Sequence, residues 1–112
     1  MNIADVKSPA LDFWVAKSQH LDAVVYGGRE CLVRQPSGAE HLYMPTKDGN
    51  LVLLLITKHQ ISLTPSGSSR VARAPSASGL GATISEAVSR CVIQATLGEE
   101  LPDTVPTVVD AD

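Results

Sequence analysis

At 112 residues, 44% of them hydrophobic and 19% charged, the chain has the size and composition of one compact domain that can bury a core without a metal or disulfide staple. A net charge of −3 leaves no overall electrostatic footprint for nucleic acid. The first residues lack a basic stretch followed by an apolar one, and the longest purely apolar run, Leu51 to Ile56, is far too short to span a bilayer, so a cytoplasmic protein with no membrane partner is expected.

Ser8 followed by Pro9 marks a helix start, with Ser as the cap and Pro at the first helical position. The predicted helix runs from about Pro9 to Gln19. Leu11, Trp14 and Val15 fall on one stripe and are assigned to the core; Phe13 is rotated off it, to cover the rim or a second contact, and Asp12 and Lys17 are left in solvent. Ala23 to Val33 shows β-branched and aromatic residues on either side of Gly27 and Gly28, the pattern of a hairpin.

A turn signal at Gln35 to Glu40 follows, and Met44 to Asn50 is expected to be a loop because Pro45 and Gly49 disfavour a central strand. Leu51 to Ile56 fits a buried strand or a short helix on periodicity alone; its consecutive leucines, with Asn50 as a competent cap, favour helix. Ile61 to Ala74 resembles a second hairpin turning at Pro65 to Ser69, and Ser76 to Ala82 is expected to be a flexible connection. Thr83 with Glu86 forms a capping box. Ile84, Ala87, Val88, Cys91, Val92 and Ala95 then hold helical spacing up to a terminating Gly98 and Pro102. Residues 1–101 are taken as the domain and 102–112 as a flexible acidic tail.

Chemistry-bearing patterns are sparse. His20, His41 and His59 lie at element ends or in loops without ligand spacing, so no metal site is expected. Cys31 and Cys91 stand apart and outside any CxxC pair, as buried free thiols would. Gly79 and Gly81 precede a helix but lack the lysine of a phosphate loop, and no serine lies in a nucleophile-elbow motif. No catalytic residue and no cofactor is assigned. The candidate interaction surface combines Arg70 and Arg73, on a strand of the second hairpin, with Glu99 and Glu100 beyond the last helix. Arg29, Arg34, Arg70 and Arg73 on the two hairpins, with Tyr26 and Tyr43, make a nucleic-acid surface the alternative.

Leu11, Asp12, Phe13, Trp14, Val15, Ala16 and Lys17 near one end, and Ala87 to Ile93 followed by Gly98, Glu99, Glu100, Leu101 and Pro102 near the other, resemble the patterns of the phage α/β/α (ABA) sandwich domain family of phage and prophage proteins, related to uncharacterised proteins of the nin region of lambdoid phages. Met44 to Leu63 is similar to that family's Pro-containing loop, short segment and strand. The chain departs from the family in having no Trp at Lys47 to Gly49 or at Arg70 to Ala72.

The resemblance implies an α+β fold, a small α/β/α sandwich with a mostly antiparallel sheet from two hairpins between an N-terminal and a C-terminal helix. It also implies a structural ion pair for Arg90, with Asp12 as one partner to test, and it transfers no activity. The resulting expectation is a phage or prophage accessory protein in the cytoplasm of the bacterial host. It would bind a host or phage protein without catalysis; the alternative is a nucleic-acid-binding factor using the Arg-bearing hairpin.

Overall fold

The computed structural model describes residues 1–108. After a short 3₁₀ turn at Ile3–Asp5, the order is α1 (Ala10–Ser18), β1 (Ala23–Tyr26), β2 (Glu30–Arg34), β3 (Glu40–Leu42), α2 (Gly49–His59), β4 (Ser62–Ser66), β5 (Ser69–Ala74), β6 (Ala77–Gly81), α3 (Ile84–Leu97) and β7 (Thr107–Val108). The chain is α+β, with helices packed on mostly antiparallel strands.

The strands divide into two sheets, one ordered β3-β2-β1-β7 and the other β4-β5-β6. Among the described residues only the β1–β7 pair is parallel. Helix α1 packs on β1 and β2, α3 packs on β5 and β6, and α1 and α3 pack on each other. Each of these helices therefore has neighbours on two sides, which explains why burial runs nearly all round α1 and continuously from Ala87 to Ile93 in α3.

This double cover gives Phe13 its second contact and corrects the reading of Trp14 and Asp12. Phe13 is buried, Trp14 is only half-buried, and Asp12 is fully enclosed. The two rings meet edge to face at 4.9 Å, and the Lys17 ammonium lies over the Phe13 ring, so one aromatic pair covers both the interior and the rim. Ser8 does not cap the helix through a backbone N–H; its hydroxyl donates to Asp12 Oδ2 at 2.7 Å.

The first hairpin forms where Gly27 and Gly28 predict it, both with positive φ, and Arg29 N–H closes the turn on Tyr26 O. β3 is an edge strand, which reconciles it with the nearby Pro45. The ambiguous apolar run is helix, and its cap is Asp48 in place of Asn50: Asp48 Oδ1 accepts from the backbone N–H groups of Asn50 and Leu51. The predicted loop thus ends at Asp48.

The segment expected to be a flexible connection is mostly strand β6, and its glycines have a packing reason. A Cβ at Gly79 would collide with Ala87 O and Cys91 N, and one at Gly81 would lie 2.6 Å from Ala87 N. Helix α3 rests its backbone directly on this strand, a distance only glycine permits. Its capping box forms on one side as expected, with Thr83 Oγ1 accepting from Glu86 N, while Glu86 Oε1 accepts from Ala82 N, one residue before the cap. Past Leu101, Thr107 and Val108 pair with Val25 and Tyr26, so part of the expected tail joins the first sheet; residues 109–112 lie outside the described residues.

Candidate functional site

The four residues chosen as an interaction surface do not form one patch. On β5, Ala72 is fully buried against α3, so Arg70 shares its face while Arg73 points the other way. Arg70 is half-buried with a guanidinium N–H donating to Ser69 O, and Arg73 is exposed, donating to Thr64 Oγ1. Arg70 pairs with Gly81 before the start of α3, whereas Glu99 lies past the end of that 14-residue helix, about 20 Å along its axis.

Glu99 and Glu100 help to join the two ends of the chain. Glu99 O accepts from Ile3 N, and its carboxylate accepts from Gln94 Nε2. Glu100 forms an isolated bridge with Asn2 and accepts from that side chain. Arg90 is not paired with Asp12. Its guanidinium donates to Leu80 O at 2.7 Å and Val6 O at 3.1 Å and lies 3.6 Å from Glu86 Oε1, stapling β6 and the N-terminal segment to α3. Asp12 instead serves Thr46 and Ser8.

A different region brings functional groups together. The segment that follows α1, the end of β2, β3 and the start of α2 together line a cleft of about 680 Å³. Leu21, Val33, Leu42, Tyr43 and Leu51 supply its apolar surface, and His20, Asp22, Arg34, His41 and Asp48 supply its polar groups. Each position follows from local structure. His20 takes a left-handed conformation (φ +61) at the end of α1, turning the chain into β1. Backbone pairing of Arg34 N with Asp22 O at 2.8 Å sets these two residues side by side, and the β2–β3 register places His41 opposite Val33.

Behind the cleft lies a buried polar cluster. Asp12 is fully buried and accepts from Ser8 Oγ, Thr46 N and Thr46 Oγ1, which meets most of a carboxylate's capacity without a cation. Burial pushes the Cys31 thiol up to about 12, with the Asp12 charge adding to it, so this cysteine is inert at neutral pH. Burial also raises the Tyr43 phenol, helped by Cys31 and Asp12. Tyr43 is 8% exposed and its hydroxyl makes no hydrogen bond among the described residues. It stays protonated and offers a donor to whatever enters the cleft.

A second depression of about 420 Å³, lined by Leu42, Met44, Lys47, Asp48, Gly49 and Asn50, shares Leu42 and Asp48 with the first. Together they form a groove beside β3, the free edge of its sheet, where all three residues are exposed. Leu42 itself is 58% exposed. Arg34 is held at the rim by Glu40 at 3.4 Å, and Tyr26 donates to the same carboxylate at 2.8 Å.

The groove is not legible in the sequence because its residues come from four separate segments, none with a motif. The two thiols are buried and free as expected. No helix among the described residues is long and apolar enough to cross a membrane, and no group of three or more His, Cys, Asp or Glu among them is placed to hold a metal ion. No protein-family model and no curated protein matches the sequence.

Proposed function

We propose that the chain is a phage or prophage accessory protein, working in the cytoplasm of a bacterial host as a non-catalytic protein-interaction module whose groove beside β3 receives an extended segment of a host or phage protein. The carrying observation is the pair of depressions that share Leu42 and Asp48 along an exposed sheet edge. An apolar trough next to unpaired main-chain groups suits strand addition: backbone bonds supply affinity and pockets for alternate side chains supply selectivity. A trough continuing past one pocket fits a chain segment better than a compact small molecule. The terminal motifs that resemble the phage sandwich family support the phage assignment, and the lack of any nucleophile or metal-ligand pattern in the sequence supports a binding role.

The test is capture from lysate of a phage-infected host with the native chain and with Leu42→Arg as bait. Residue 42 is exposed, so this substitution leaves the fold intact while placing charge in the trough. A specific protein retained by the native bait and lost with the variant supports the proposal; equal retention by both contradicts it. Nucleic-acid binding through the β4–β5 hairpin is less favoured, because Arg70 and Arg73 face opposite sides of β5. Gel shifts that stay negative at low salt, where phosphate contacts are strongest, would exclude it.

A further inference from the structure

We infer that α2 is the contact helix of a symmetric homodimer, paired antiparallel with α2 of a second copy of this chain, with Asp48 and Asn50 at one end of the contact bordering the groove. Val52 and Leu55 bury one side of this helix. The opposite side carries Asn50, Leu53, Leu54 and Thr57, all exposed, with Leu53 at 62% and Leu54 at 67%. Their spacing of i, i+3, i+4 and i+7 makes one continuous face. Two adjacent leucines this exposed form an apolar patch that calls for a partner.

The order along this face is polar, leucine, leucine, polar, which reads the same from either end. A twofold axis crossing the helix midway between Leu53 and Leu54 therefore sets each leucine against the other leucine of the second copy, and sets Asn50 against Thr57, an amide against a hydroxyl. A twofold contact requires a patch complementary to itself, and this face meets that condition when antiparallel. A parallel arrangement would set Asn50 on Asn50 and Thr57 on Thr57.

Charge supports the same alignment. Asp48 stands at the N-terminal end of α2 and Lys58 in its last turn, both exposed. Antiparallel pairing brings the Lys58 of each copy to the Asp48 end of the other, and it opposes the two helix dipoles favourably. Both groups have capacity left: Asp48 uses Oδ1 for the cap, and Lys58 Nζ donates one bond to Gln19 Oε1 at 2.7 Å. One 11-residue helix covers less than the roughly 800 Å² per partner of a standard stable interface, so the dimer is expected to be weak, with a dissociation constant in the micromolar range.

Sedimentation equilibrium from micromolar to near-millimolar chain should show reversible dimerisation by the native protein. Leu54→Glu should remain monomeric at every concentration with unchanged circular dichroism. Asp48→Asn, which keeps a competent cap while removing the charge, and Lys58→Gln should each weaken dimerisation several-fold. Orientation is read by cysteine cross-linking, since Cys31 and Cys91 are buried. Asn50→Cys mixed with Thr57→Cys should give a disulfide-linked heterodimer, while neither variant alone cross-links efficiently. A native chain that stays monomeric, a Leu54→Glu variant that dimerises like the native chain, or cross-linking of each cysteine variant with itself would overturn the inference.

Discussion

The carboxylate of Asp12 accepts both the backbone N–H and the side-chain hydroxyl of Thr46, each at 2.9 Å, tying the interior of α1 to the turn that leads into α2. Ser8 supplies a third bond at 2.7 Å. A charged group with no solvent exposure tolerates burial only when its lone pairs are met this way. The walls of the groove depend on this junction, because Met44 and Tyr43 directly precede the turn and Asp48 directly follows it.

Asp12→Ala removes the acceptor of three bonds, from exposed Ser8 and half-buried Thr46, and should destabilise the chain by about 2 kcal/mol. Thr46→Val removes only the hydroxyl bond and should cost about 1 kcal/mol. In a double-mutant cycle by urea unfolding, the pair should be strongly non-additive, since the second change acts on a bond the first has already removed. Additive effects would show that the two residues do not act together.

Gly79 and Gly28 should respond differently to alanine. At Gly79 the added methyl meets the backbone of α3 at Ala87 and Cys91, which cannot move without separating helix from sheet, so a loss of at least about 3 kcal/mol is expected. At Gly28 the space is open and φ is +67, so only conformational strain of about 1 kcal/mol applies. Thermal unfolding of the two variants measures the contrast.

The two helix ends at Gln19 and His59 give the chain a pH dependence. Gln19 Oε1 accepts from Lys58 Nζ at 2.7 Å, so its amide nitrogen faces His59 Nε2 at 3.2 Å, and that ring nitrogen must be the unprotonated one. Burial and the adjacent Lys58 lower His59 below its ordinary value of 6.5. The unfolded chain therefore binds this proton more tightly than the folded one. The His59 contribution is complete above the ordinary histidine range and is lost as pH falls through it. Native protein should lose stability between about pH 7 and 5, and His59→Gln should lose less over the same interval; identical slopes would remove His59 from the account.

What the sequence reveals and hides follows from which interactions are local. Gly27–Gly28, Thr83–Glu86 and the spacing from Ile84 to Ala95 each report on a few neighbouring residues, and the first hairpin and α3 form where those signals lie. Trp14 is only half-buried and Phe13 fully buried because a single stripe describes a helix with one covered side, whereas α1 is covered by a sheet and by α3. Asp12 appears solvent-facing until the chain from 46 arrives beside it. Ser76 to Ala82 has the composition of a flexible connection, yet its glycines are required by a helix that lies later in the sequence. The groove is the least legible feature, since Leu21, Arg34, His41 and Asp48 become neighbours only through strand register and the turns that join the elements. One clue was available: a turn at Gly27–Gly28 already sets Asp22 near Arg34.

The groove is tested most directly by amide hydrogen exchange on the native chain with and without a captured partner. If the partner adds a strand beside β3, slowed exchange should concentrate at Glu40 to Tyr43, with a smaller effect at Leu21–Asp22 and Asp48 to Leu51, and should vanish for Leu42→Arg. Protection centred on Arg70 to Arg73, or unchanged exchange at Glu40 to Tyr43 while the partner is bound, would contradict the assignment of this groove as the interaction site.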